Sequence, residues 1–152
     1  MTEELTRTAV ILLAEDDPDD QELTRRALRG SKLKNVLHIV SDGEEALDYL
    51  HQRGPYADPK SAPRPDLILL DLNMPKLDGR AVLEHVKSDS DLRSIAVVVL
   101  TTSSQEEDIL RSYDLGVNSY ITKPVHMEGF VKAIRELEEY WFNLVILPRN
   151  HA

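Results

Sequence analysis

Hydrophobic positions along this chain fall into two kinds of segment that take turns. Short runs of apolar residues recur from Thr8 to Ala14, Val36 to Val40, Leu67 to Leu70, Ile95 to Leu100 and Ser119 to Ile121. The runs at Leu67 to Leu70 and Thr8 to Ala14 suit strands buried on both faces, Ile95 to Leu100 is rich in β-branched residues, Val36 to Val40 is a weaker strand and Ser119 to Ile121 a short one. Between them apolar residues fall at helical spacing: Leu23, Ala27 and Leu28; Ala46, Leu47 and Leu50; Ala81, Val82, Leu83 and Val86; and, last, Phe130, Ile134, Leu137, Trp141 and Leu144. A further helix is predicted from Ser103-Ser104, each three residues before a glutamate, to Gly116. Five strands alternating with five helices predict an α/β fold, a doubly wound parallel sheet.

The punctuation agrees with this. Pro18 suits a first helical position, with Asp19 and Asp20 in the first turn and Gly30 at the end. Ser41-Asp42-Gly43-Glu44 has capping-box spacing, and Asp78-Gly79 reads as a turn into a helix N-cap. Four prolines, Pro55, Pro59, Pro63 and Pro65, mark residues 53–65 as an exposed loop. Residues 1–152 are expected to form a single domain, with 142–152 as a C-terminal extension.

Composition narrows the chemistry. No cysteine is present, which excludes disulfides, thiolate metal sites and thiol redox chemistry. Eighteen basic residues against 27 acidic ones give a formal net charge of −9, which opposes binding to a phosphate backbone. No nucleic-acid partner is expected. No apolar run approaches the ~20 residues of a membrane span, and the first residues carry no leader pattern, so no membrane partner is expected and a cytoplasmic location is.

The strand ends carry the candidate chemistry. They present Glu15-Asp16-Asp17, Asp71, Thr101 and Lys123, and a parallel sheet would bring all of them to one edge. Each has a plain alternative: the acidic triplet could cap the helix at Pro18, Thr101 could be an ordinary strand-end hydroxyl, and Lys123 a solvated lysine. Two carboxylates about 5 Å apart repel by roughly 3 kcal/mol at an effective dielectric of 20. A hard divalent cation would reverse that sign, and an oxygen-only donor set favours Mg²⁺. Carboxylates, a hydroxyl and an ammonium make a site for a phosphoryl group, with Asp71 as nucleophile. The five histidines, His38, His51, His85, His126 and His151, show no metal-ligand spacing and read as surface or partly buried residues.

These residues, together with Asp71-Leu-Asn-Met-Pro, Asp78-Gly79 and Lys123-Pro124, resemble the response-regulator receiver domains of two-component signalling. The resemblance covers nearly the whole chain. It implies a flavodoxin-like fold with strand order 2-1-3-4-5, and phosphoryl transfer to Asp71 from the histidine of a partner kinase. It also implies a Mg²⁺ cofactor held by Glu15, Asp16, Asp71 and the backbone carbonyl of Asn73, with Asp17 left out. Thr101 and Lys123 would contact the phosphoryl group, and Tyr120 would turn inward on activation. The proline-rich loop, the run from Val98 to Ser103 and the tail from Tyr140 to Pro148 are similar to regulators paired with phytochrome-type histidine kinases. That similarity and the apolar tail, Phe142, Leu144, Val145, Ile146 and Leu147, imply a homodimer through the last helix and C-terminal segment, the alternative being a tail that folds back on its own domain.

Two rival readings compete with this one. A haloacid-dehalogenase-type phosphatase would place a second aspartate two residues after the nucleophile, where this chain has Asn73, and an amide cannot serve as general acid. A degenerate receiver acting only as a binding module would not need the full phosphorylation set. The expectation is therefore a phosphoacceptor rather than an enzyme with turnover.

Overall fold

The structure is a computed structural model, and it describes residues 8–30, 34–113 and 115–133. Five strands, β1 (Ala9–Ala14), β2 (Asn35–Val40), β3 (Leu67–Asp71), β4 (Ala96–Thr101) and β5 (Ser119–Thr122), form one parallel sheet in the order β2-β1-β3-β4-β5. The helices are α1 (Pro18–Arg29), α2 (Gly43–Leu50), α3 (Gly79–Ser88), α4 (Ser104–Arg111) and α5, which is helical over 127–133. This is the flavodoxin-like arrangement that the resemblance implies. The apolar residues predicted beyond 133, and with them the C-terminal extension and dimer segment, lie outside the described residues.

Period-two alternation sorts the central strands between two cores. Leu12, Ala14, Ile68, Leu70, Val97 and Val99 point to one face, where Ala46 and Tyr49 of α2, Val82, Leu83 and Val86 of α3, and Leu110 of α4 cover them. Ile11, Leu13, Leu67, Leu69, Val98 and Leu100 point to the other, under Ala27 and Leu28 of α1 and Phe130 and Ala133 of α5. Every residue of β3 and β4 is buried, which explains why these strands read as unbroken apolar runs. Each large side chain so buried contributes roughly 1.5–3 kcal/mol. Among the described residues no helix is long and apolar enough to cross a membrane.

Three local expectations are corrected. The cap of α2 sits one residue later than expected: Asp42 accepts from Glu45 N at 2.8 Å, and Glu45 returns a bond to Ser41 N at 2.7 Å. Helix α4 ends well before Gly116, because the Ser112 hydroxyl bonds Ile109 O at 2.6 Å and offers the backbone a way out of the helix. Gly116 instead takes φ +75° in the turn before β5, a left-handed conformation that suits glycine. The proline-rich loop is not wholly exposed either. Ala62 is buried, and the loop is tied to α2 where Tyr49 Oη donates to Pro63 O at 2.8 Å and Gln52 Nε2 to Ala62 O at 3.0 Å.

Candidate functional site

Because all five strands run the same way, their C-terminal ends share one edge, and there the chain gathers Glu15, Asp16, Asp71, Thr101 and Lys123. Glu15 follows β1 directly and is fully buried. Asp17 N donates to its Oε2 at 3.1 Å, and Gln21 Nε2 donates to its carbonyl at 2.6 Å, so α1 itself holds Glu15 in place. Asp17 is the N-cap of α1, accepting from Asp19 N at 2.8 Å, which is why it stands apart from the acidic pair.

Asp71 is the last residue of β3 and is 1% exposed. Asn73 N donates to its Oδ1 at 2.9 Å, which turns the chain sharply away from the sheet. The loop then returns to Gly79, whose N–H bonds Leu72 O at 3.0 Å. A β-carbon at Gly79 would lie 2.3 Å from the Asp71 carbonyl oxygen, so only glycine lets α3 start this close to Asp71.

Lys123 binds the acidic groups together. Its Nζ lies 3.0 Å from Glu15 Oε1, 3.0 Å from Asp71 Oδ2 and 3.2 Å from Asp20 Oδ2. Its own N–H reaches Thr101 O at 2.7 Å, which fixes where the side chain starts. The Glu15 carboxyl is pushed up to about 7, chiefly by burial and also by the nearby Asp71 charge, with the Asp17 N–H and Lys123 opposing the rise. Burial also works against the Lys123 ammonium, but its bonds to Asp71 and Glu15 outweigh that and hold it above the ordinary lysine range.

The Thr101 hydroxyl is fully buried and faces β5, at 3.4 Å from Ile121 O and 3.3 Å from Thr122 Oγ1. Both distances are long, so these bonds are weak. Tyr120 is half-buried on β5, its hydroxyl 3.3 Å from Leu110 O and its ring 4.7 Å below the Arg111 guanidinium carbon.

Carboxylate oxygens of Glu15, Asp16 and Asp71 lie within 4.8 Å of one another. A donor set made only of oxygen, with a single ammonium among the acids, fits a hard divalent cation. Asp20 and Gln21 were missed by sequence reasoning. Asp20 sits in the first turn of α1 and was read only as helix-dipole chemistry, while nothing local in the sequence points Gln21 back at Glu15.

The chain matches the family described as "Response regulator receiver domain" over residues 11–135. It belongs to that family. Among relatives, this receiver is 44% identical over 148 residues to "Response regulator Rcp1" of Synechocystis sp. (strain ATCC 27184 / PCC 6803 / Kazusa), covering 97% of this chain and 99% of that protein. A solved structure, "Crystal structure of the Mn(2+)-bound form of response regulator Rcp1", superposes with a TM-score of 0.70 at 45% identity, over 92% of this chain and 99% of that one. "Bacteriophytochrome response regulator RtBRR" gives a TM-score of 0.82 at 48% identity, over 89% and 81% of the two chains. The phosphorylated cyanobacterial phytochrome response regulator RcpA gives 0.72 at 47% identity, over 93% and 99%. The receiver is thus a phosphoryl-acceptor domain homologous to phytochrome response regulators, and neither rival reading is favoured.

Proposed function

We propose that Asp71 is the phosphoacceptor, and that it takes its phosphoryl group from a histidine of a phytochrome-type kinase. One observation carries this: a buried strand-end aspartate held by Asn73 N–H on one oxygen and Lys123 on the other, with two more carboxylates in reach. The Asp71 carboxylate oxygen forms the new P–O bond as the P–N bond to the donor imidazole breaks, and the imidazole leaves with the electron pair. Lys123 stays beside the transferring group and offers charge to its oxygens. Thr101 then turns from its weak bonds on β5 toward the phosphoryl group, and Tyr120 follows into the space released. The kinase assignment rests on relatives whose printed names carry phytochrome or bacteriophytochrome.

Glu15, Asp16 and Asp71, with the backbone carbonyl of Asn73, would hold Mg²⁺, which when bound screens the attacking carboxylate from the donor phosphate and stabilises developing charge. Residues of this chain thereby assist their own phosphorylation and hydrolysis without multiple turnover of a substrate.

The test is incubation with a small acyl phosphate donor and Mg²⁺. Wild-type protein is expected to carry one acid-stable, base-labile phosphoryl group and Asp71→Asn none. Full labelling of that variant sinks the assignment.

A further inference from the structure

Away from the phosphorylation edge, two of the helices on one face of the sheet, α2 and α3, end against each other. His51 caps the C-terminus of α2, and His85 and Asp89 lie at the C-terminus of α3, four residues apart. The Nε2 atoms of His51 and His85 are 2.6 Å apart, with the rings at 88° to one another. A carboxylate oxygen of Asp89 lies within 4.8 Å of a ring nitrogen of each histidine. We propose that His51, His85 and Asp89 form a second cation site, for a borderline transition metal of the Zn²⁺ class, which clamps α2 to α3.

A hydrogen-bonded histidine pair alone would be an ordinary surface contact, with one ring donating and the other accepting. Three further observations point to a cation. The Asp89 carboxylate is already oriented, since its Oδ1 accepts from Asp91 N at 2.8 Å and Leu92 N at 3.2 Å. That is the kind of outer support that positions a metal ligand. Both histidines sit where a helix C-terminus presents carbonyl oxygens, so the local field favours positive charge. The donor set is two imidazoles and one carboxylate, which suits Zn²⁺ and its neighbours and leaves an open coordination position. It does not suit Mg²⁺, so the two sites differ in chemistry.

The rearrangement required is small. Tetrahedral coordination with metal–nitrogen bonds of about 2.0–2.1 Å needs the two nitrogens about 3.3 Å apart. They start at 2.6 Å, so the partly exposed rings open by less than 1 Å. The donating ring shifts its proton to Nδ1, leaving both Nε2 lone pairs for the metal. The site lies one helix length from the acidic edge: α3 has 10 residues, which at 1.5 Å per residue is roughly 15 Å. The bound cation therefore ties down the far end of the helix whose near end abuts Asp71.

The experiment titrates Zn²⁺, and Co²⁺ as a spectroscopic stand-in, into the full chain in excess Mg²⁺. Expected are saturable binding, Co²⁺ absorption bands of imidazole coordination, and a raised thermal midpoint in the presence of Zn²⁺. His51→Asn and His85→Asn should each weaken this binding by about tenfold or more, and Asp89→Asn should weaken it while keeping its backbone bonds. His38→Asn and His126→Asn should leave it unchanged. Because all three readouts follow the histidine variants, the outcome is independent of which ion fills the carboxylate site, and labelling of Asp71 should be normal in all five single variants. Affinity unchanged in the His51→Asn/His85→Asn double variant, or wild-type binding weaker than a Kd of about 1 mM, overturns the proposal.

Discussion

Replacing Lys123 by methionine keeps the aliphatic stem and removes the charge that faces Glu15 and Asp71 at 3.0 Å each. At an effective dielectric of 20 each such pair is worth about 5.5 kcal/mol of Coulomb energy. That is an upper bound, since a stranded carboxyl escapes by taking up a proton. With an unfolded pKa near 4, protonation at pH 7 costs about 1.4 kcal/mol for each of three pH units, or about 4 kcal/mol. Glu15 adds little to this, because burial already pushes its carboxyl up to about 7. Lys123→Met should therefore lose about 3–4 kcal/mol at pH 7, in the range found when one partner of a buried ion pair is removed. The sign of the pH dependence follows. A carboxyl whose folded pKa is raised loses stability as pH rises above its unfolded value, so the penalty grows upward from about pH 4 and is only about 1.4 kcal/mol at pH 5. Urea unfolding of both proteins in metal-free buffer between pH 5 and 8 measures it. A loss that is the same at pH 5 and pH 8 would mean that Lys123 acts through packing, and the electrostatic account of the site would be wrong.

Other parts of the site give sharper local tests. Gly79→Ala places a β-carbon 2.3 Å from Asp71 O and 2.4 Å from Leu72 Cα, so it should cost about 1–3 kcal/mol or more in urea unfolding and slow labelling of Asp71; wild-type behaviour in both assays refutes the close approach. Thr101→Ala should accept a phosphoryl group yet lose most of the phosphorylation-dependent change at Tyr120 seen by NMR, and Thr122→Val should alter that change without altering labelling. For the homodimer proposed from the apolar C-terminal sequence, truncation after Glu139 should lower the mass seen by light scattering; an unchanged dimer removes the tail from the interface.

What could be read from the sequence was what depends on short-range pattern. Strands β3 and β4 were legible because a strand buried on both faces has one signature, an unbroken apolar run, and Asp71 and Thr101 close those runs. The edge shared by Glu15, Asp71, Thr101 and Lys123 followed from parallel topology. Where two local choices were near in energy, pattern could not separate them: Ser41 with Glu44 and Asp42 with Glu45 have the same spacing, and the structure uses the second. The His51–His85 pair was out of reach for a different reason, since its members are 34 positions apart and meet only because α2 and α3 pack side by side. The reading that the histidines lack metal-ligand spacing passed over His85 and Asp89, four positions apart, because such a pair means little until the third ligand's place is known.

A chain of contacts runs from Thr101 to Tyr120 in this structure. Thr101 Oγ1 meets Thr122 Oγ1 at 3.3 Å, Thr122 Oγ1 donates to Glu107 Oε1 at 3.3 Å, Glu107 Oε2 accepts from Arg111 Nε at 3.0 Å, and Arg111 covers the Tyr120 ring. The links nearest Thr101 are the longest and weakest, while the Arg111–Glu107 ion pair is shorter and charge-assisted. A new acceptor beside Thr101 would break the weak end first. Without Thr101 donating to it, the Thr122 hydroxyl is less polarised and donates more weakly to Glu107, which then shares its charge differently with Arg111 and changes the cover over Tyr120. On its other side the Tyr120 hydroxyl donates a long, weak bond to Leu110 O at 3.3 Å. Proximity alone does not establish coupling. The Thr101→Ala and Thr122→Val pair supplies the missing evidence, because two hydroxyls in one chain must give non-additive effects at Tyr120, whereas independent contacts would add.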